Sequence, residues 1–332
     1  MAGYISFENV RVWIKETASV VGKKEKEGPL GDRFDLSDDS NLFGMKTWEE
    51  AESEMQRQAF NVLLSKAKTD PSQVEAVISG DLMNQCVGGA YSFSNQKVPY
   101  VGIYGACSTF ALGTLIGGMM INAGYCNMIA AITSSHYCSA ERQFRTPLEY
   151  GSQRTPTAQW TVTGAGGVLL TSEVGSVRLV DACIGRIVDK GISDANNMGA
   201  AMAPAAADTI LSYLRATGRS ISDFDRIYTG DLGAEGKAIL NDLLRIEGVD
   251  ARGVLDDCGC LIYDAAEQDV HCGGSGCGCS ACVFSSELYP MLKEGRSREM
   301  LLIGTGALMS PQSLMQGKTI PAVAHLVRFS SI

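Results

Sequence analysis

An α/β fold made of two similar halves is what this sequence predicts, and three observations lead there. Residues 70–81 read DPSQVEAVISGD and residues 220–231 read SISDFDRIYTGD, so a polar lead-in, an apolar strand and a Gly-Asp stop recur 150 positions later. A second echo sets NMIAAITSSHY at 127–137 against EMLLIGTGALM at 299–309, each an apolar strand running into a Ser/Thr/Gly loop. The third is composition: 45% hydrophobic and 20% charged residues, with 37 glycines and only 9 prolines, belong to a compact α/β protein rather than a disordered one. A long period repeated once means two packed halves and not a solenoid, and a site is expected where the halves meet. With 332 residues and roughly 150 residues per domain, two units are expected, 1–172 and 173–332.

The elements follow in order. Residues 4–14 alternate apolar and polar closely enough for a strand, and 22–46 form a polar, Gly/Asp-rich surface excursion. TWEE at 47–50 fits a capping box, after which Ala51, Met55, Ala59, Val62 and Leu63 place one apolar stripe on a helix to about Lys68. Residues 98–103 form an apolar strand, Gly105-Ala106-Cys107-Ser108 a tight turn, and 109–123 a helix apolar almost all round, which must be buried. QWTVTGAGGVLLTSE at 159–173 reads as two strands hinged at Gly164-Ala165-Gly166-Gly167. In the second half Pro204 suits an early helix position, with the helix ending at Gly218 and feeding the second copy of the repeat strand.

A formal charge of −9 argues against nucleic acid or an anionic membrane surface as a broad partner, because both need clustered Lys and Arg. The start, MAGYISFENV, lacks a basic region followed by an apolar one, and the longest apolar run, 110–121, is too short and glycine-broken to span a bilayer. Cytoplasmic synthesis is the expectation. Eleven cysteines without a secretory signal make a poor disulfide framework, so most should be free and buried. The run HCGGSGCGCSAC at 271–282, with Cys258 and Cys260 upstream, raises structural zinc as an alternative. Its Gly/Ser alternation looks more like a close-packed turn, and no metal site is expected.

Cys107 is the sharpest candidate for chemistry. A cysteine between a buried strand and the N-terminus of a buried helix faces the positive end of the helix dipole and free N–H groups, which favour thiolate and bound anions. The bland reading of Cys107 is a small core residue.

YGACSTFALGTLIGGMMINAG at 104–124 resembles the nucleophile turn and buried helix of the thiolase and ketoacyl synthase superfamily. TGAGGVLL at 163–170, His271 with Gly274-Ser275-Gly276, and Ile303-Gly304-Thr305-Gly306 are similar to three further motifs of that superfamily. The resemblance implies a thiolase-like five-layered αβαβα sandwich of two duplicated βαβαβαββ halves. It also implies an acyltransferase as one functional alternative, with Cys107 as nucleophile, His271 as base and the glycine loop as oxyanion hole. The departures matter equally: Thr229-Gly230-Asp231-Leu232 stands where a His or Asn is usual, Leu302-Ile303 precede Gly304 without a cysteine, and the hairpin lacks its Asp. The proton-handling set is thinned while the nucleophile seat is kept.

Within the superfamily, GDLMNQ at 80–85, YGACSTF at 104–110, the stretch 133–166 and NNMGAAMAPAAADTI at 196–210 resemble the stage V sporulation protein AD family. That likeness implies a non-enzymatic protein that binds dipicolinic acid, free or as its calcium chelate, and takes part in its uptake into the developing spore. It implies membrane proteins of the same operon as partners, a peripheral place at the spore inner membrane, a homodimer, and no cofactor. One ligand carboxylate would sit near the Cys107 N–H and the Gly304, Thr305 and Gly306 loop, as oxyanions do. His136 should project near the same pocket, against the plainer reading of a structural histidine, and His271 is expected among the ligand-binding residues as well. Arg142, Arg145 and Arg154 offer bidentate recognition of carboxylate, the plainer reading being surface ion pairs. His325 carries no role.

Overall fold

The computed structural model describes residues 3–144 and 153–332. Arg145, one of the candidate ligand arginines, lies outside the described residues.

The first half runs β1 (Tyr4–Ser6), β2 (Val12–Gly22), α1 (Lys23–Lys26), β3 (Leu36–Asp38), α2 (Trp48–Ala67), β4 (Ala76–Gly80), α3 (Val87–Phe93), β5 (Tyr100–Gly102), α4 (Thr109–Asn122), β6 (Met128–Ser135), α5 (Tyr137–Phe144), β7 (Trp160–Thr161) and β8 (Gly164–Thr171). The second runs β9 (Val177–Cys183), α6 (Met198–Thr217), β10 (Arg226–Thr229), α7 (Gly233–Ile246), β11 (Leu255–Asp257), α8 (Cys258–Ile262), β12 (Gly274–Ser275), α9 (Cys277–Val283), α10 (Tyr289–Lys293), β13 (Glu299–Ala307), α11 (Pro311–Met315) and β14 (Ala322–Ser331). The hydrogen-bonded strand path is β11-β10-β13-β14-β9-β2-β8-β6-β4-β5, with β1 added on β9 and β3 on β2. From its centre outward each side has the order first, fifth, fourth, second, third of its own five long-range strands. The sheet is therefore a duplication in topology as well as in sequence.

Layering follows from where the apolar residues go. Helix α4 touches β4, β6 and β8 on one side and β13 and β14 on the other, while α9 lies beside it against β2, β6 and β8. Their residues Phe110, Leu115, Ile121 and Ala281, with Phe284 just past α9, join Ile78, Leu170, Leu302 and Phe329 in a central core, all essentially inaccessible to water. Separate cores form under α2 on one outer face and under α6 and α7 on the other. The result is the five-layered αβαβα sandwich. Among the described residues no helix is long and apolar enough to cross a membrane.

Local signals explain most boundaries. The capping box forms as expected, Glu50 N–H donating to Thr47 Oγ1 and Thr47 N–H to Glu50 Oε2, each at 3.2 Å. Ala51, Met55, Ala59 and Leu63 are buried and Val62 is half-buried. Gly218 caps α6 in the left-handed region. Two expectations are corrected and a third, the surface excursion, gains detail. Helix α6 starts at Met198, six residues before Pro204, because Asn197 caps it by accepting from Ala200 N–H at 3.1 Å. The run 164–167 is not a hinge but the start of β8: a Cβ on Gly166 would stand 2.5 Å from the Ala281 carbonyl carbon, so glycine lets α9 lie on the strand. The excursion 22–46 is tied down by α1 and by β3 pairing with β2.

Candidate functional site

The turn at Cys107 is held by its own side chains. Ser108 N–H and Oγ both donate to the Gly105 carbonyl at 3.1 and 2.6 Å, and Thr109 Oγ1 accepts from Gly105 N–H at 3.1 Å while donating to the Ala106 carbonyl at 2.6 Å. This closes so tightly that Ala106 adopts a left-handed φ of 48°, a conformation that costs a residue with a Cβ about 1–2 kcal/mol. Strand β13 seals the turn from below. A Cβ on Gly306 would meet the Gly105 carbonyl oxygen at 2.3 Å, so only glycine fits there. Cys107 is left 6% exposed, at the head of α4.

Asp231, just past the end of β10, faces Cys107. It is fully buried, accepting from Gly276 N–H through Oδ2 at 2.9 Å and from Thr305 Oγ1 through Oδ1 at 2.8 Å. The carboxylate and the Cys107 thiol also interact directly. Burial raises the Asp231 pKa to about 7, against the opposing pull of its three donors. Burial first, and then the neighbouring Asp231, push the Cys107 thiol far above its ordinary range, outweighing Gly276 N–H and the Ser275 hydroxyl, which favour thiolate. Cys107 is thus a protonated thiol at neutral pH, whereas nucleophilic cysteines work as thiolates.

Above this pair a cleft of about 50 Å³ opens between the halves. Its floor is Cys107 and Ser275, and its walls are Leu82, Tyr104 and Phe144 from one half and Met198, Ala307 and Met309 from the other. Thr161 and Glu141 add polar groups, and no Lys, Arg or His lines it among the described residues.

The other candidates sit elsewhere. His136 is not on the cleft wall: its Nε2 donates to the Asn41 carbonyl at 2.9 Å and its Nδ1 accepts from Cys138 N–H at 3.1 Å, a structural histidine kept neutral by burial. His271 pairs with Asp269 at 3.1 Å at the surface and does not line the cleft. Arg142 pairs with Glu49 and lies over the Trp48 ring at 5.2 Å, and Arg154 binds Asp269 at 2.7 Å and lies over Trp160 at 4.9 Å. Neither arginine reaches the cleft. Gly304, Thr305 and Gly306 are strand residues of β13 rather than a loop; Thr305 holds Asp231 and the glycines pack on the Cys107 turn. His325 accepts from Gly185 N–H at 3.3 Å, and burial lowers its pKa to about 4.

The cysteine run provides no zinc cluster. Cys258, Cys279 and Cys282 are buried free thiols, and no three His, Cys, Asp or Glu side chains come together to hold a metal among the described residues. Asp231 stands at the strand end where a His or Asn is usual in the superfamily, and its part in the site is not evident from residue type alone. Its signal was the repeated Gly-Asp itself.

The chain is similar to known proteins along nearly its whole length. The family described as Stage V sporulation protein AD (SpoVAD) matches residues 4–330. Stage V sporulation protein AD of Bacillus subtilis (strain 168) is 40% identical over 318 residues, 96% of this chain and 94% of that one. Among solved structures, 3-oxoacyl-[acyl-carrier-protein] synthase III of Aquifex aeolicus VF5 superposes with a TM-score of 0.61 at 14% identity, covering 96% of this chain and 99% of that one. Cerulenin-bound OleA of Xanthomonas campestris gives 0.63 at 14% identity, covering 97% and 98%. At these identities the two structures share the fold.

Proposed function

The chain belongs to the Stage V sporulation protein AD family, and on that premise we propose that it serves sporulation by binding dipicolinic acid, free or as its calcium chelate, in a cleft that no longer performs acyl transfer. The observation that carries this reading is the pairing of Cys107 with buried Asp231. A condensing cysteine needs a neighbour that removes its proton. Here the neighbour is an acid whose charge opposes thiolate, and no histidine lines the cleft among the described residues. The acyltransferase alternative would need His271 to leave Asp269 and reach Cys107.

The lining suits a planar heteroaromatic acid, and with a cleft of only about 50 Å³ the walls must part to seat one. Tyr104 and Phe144 offer ring surface, Leu82, Met198 and Met309 apolar walls, and the hydroxyls of Ser275 and Thr161 hydrogen bonds to a carboxylate. With buried Asp231 behind Cys107 and no Lys, Arg or His among the described lining residues, the neutral calcium chelate meets less repulsion there than the free dianion. In this reading the protein acts in dipicolinate uptake at the spore inner membrane, beside membrane proteins of its operon. It pairs with a second copy through the edge strand β5, where Val101 is 38% exposed.

The test is calorimetric titration with dipicolinic acid, with and without calcium, on the native chain, Cys107→Ala and Phe144→Ala. Saturable one-to-one binding, weakened about tenfold by removal of the Phe144 ring, is expected. Absence of heat, or binding indifferent to both substitutions, overturns the assignment. Covalent labelling of Cys107 by acyl-CoA donors would establish the enzyme instead.

A further inference from the structure

Behind Cys107, beneath the cleft floor, lies the buried Asp231 carboxylate, whose surroundings are acidic. The strongest influences on Asp231 are its burial, its bonds to Cys107, Gly276 and Thr305, and the charge of Asp257 at the end of β11. The other ionisable groups facing it are thiols: Cys258 at the head of α8, Cys279 on α9 and Cys107 before α4. A ligand carboxylate seated over Cys107 would be one thiol away from Asp231, in a site where water is excluded and like charges repel far more strongly than in solution. A proton relieves that repulsion.

We infer that an anionic ligand enters this cleft together with one proton, taken up by the Asp231–Cys107 pair, which thereby sets the pH range over which the ligand is held. The inference rests on the cleft being the ligand site proposed above. The ligand's own carboxyl groups do not supply the effect, since carboxylic acids near pH 4 are ionised well below neutrality. The direction follows from linkage. Free Asp231 has a pKa raised to about 7, and a bound carboxylate raises it further. Below that range the free protein already holds the proton and none is taken up. Above it binding brings a proton in, so affinity falls as pH rises, approaching tenfold per pH unit as uptake approaches one.

Titration calorimetry of the full chain with dipicolinate, without calcium, at about pH 8 in Hepes and in Tris reads the proton number from the difference in heats. The expected result is uptake of about one proton and affinity about tenfold weaker at pH 8.5 than at pH 7.5, while Asp231→Asn binds without uptake and with a flat pH profile. Binding without net uptake in the native chain overturns the coupling and leaves the ligand assignment standing. Uptake that persists in Asp231→Asn overturns the assignment to this pair. Absence of binding removes the functional reading and the coupling together. Should Asp231→Asn fail to fold, Thr305→Val, which removes a hydrogen bond to the charged form of Asp231, should move the onset of uptake to higher pH, and an unmoved onset overturns the assignment.

Discussion

The Gly80-Asp81 stop after β4 and the Gly230-Asp231 stop after β10 occupy corresponding places in the two halves, yet their carboxylates point at different things. Asp81 turns back on its own loop and accepts from Met83 N–H at 2.9 Å and Gly89 N–H at 2.8 Å. Asp231 has no such duty, because Asp257 at the end of the adjacent β11 already takes Leu232 N–H at 2.8 Å and Gly233 N–H at 3.0 Å. Relieved of its loop, Asp231 faces Cys107. One aspartate on a neighbouring strand thus separates a structural copy from the copy that builds the cleft floor. Both pay in desolvation: burial raises Asp81 to about 6 and Asp231 to about 7.

The sharpest way to break this comparison is Asp257→Ala. It would strand three backbone donors, Leu232 N–H, Gly233 N–H and Cys260 N–H, the last being the cap of α8, and leave Thr229 Oγ1 only its longer bond to the Asp256 carbonyl at 3.3 Å. A loss of about 4 kcal/mol in urea unfolding is expected, since each buried unsatisfied donor costs about 1–3 kcal/mol and part of the loop relaxes. A loss within about 1 kcal/mol would mean the loop finds other partners and that Asp257 does not explain the two orientations.

Asp231→Asn and Asp81→Asn come next, and they separate by pH. An acid whose folded pKa is raised binds its proton more readily folded than unfolded. Stability therefore falls as pH rises from the unfolded value near 4 to the folded value, about 7 for Asp231 and about 6 for Asp81. The Asn variants lack that fall. Between pH 5 and 7, Asp231→Asn should flatten the stability profile by about 1–3 kcal/mol and Asp81→Asn by about 1 kcal/mol. Asp81→Asn has a second signature, because Asp81 repels buried Glu52, itself raised to about 8 mainly by burial. The fall due to Glu52 should then end at a lower pH. Urea unfolding across pH 5 to 8 reads both, and identical profiles for the two variants would remove the distinction between the copies.

What the sequence revealed and what it hid divide along the same line. Element order was legible because each element carries its own signal: the Thr47/Glu50 box, the Gly218 cap, the apolar stripe of α2. The Cys107 turn was legible too, since its Ser and Thr hydroxyls close it locally. Glycine runs 164–167 and 304–306 were read as loops but are strand, because what presses on them, α9 and the Cys107 turn, comes from far along the chain. Asp231 was hidden for the same reason, its direction being set by Asp257. His136 and His271 were chosen by residue type, which says nothing about which carbonyl or carboxylate the ring will meet.

The smallest expected effect tests the comparison at the next residue out. The second echo aligns Thr133 with Thr305, each six positions into its segment. Thr305 Oγ1 donates to Asp231 at 2.8 Å, whereas Thr133 Oγ1 donates to the Cys277 carbonyl at 3.2 Å and leaves Asp81 alone. Valine keeps the shape of threonine and removes the hydroxyl. Thr305→Val therefore withdraws a donor from the charged form of Asp231, raises its pKa further, and should cost about 1 kcal/mol at pH 8 but little at pH 5, where Asp231 is protonated. Thr133→Val loses a bond to a neutral carbonyl and should cost the same at both pH values. Equal pH dependence in the two valine variants would show that Thr305 does not act through the Asp231 charge.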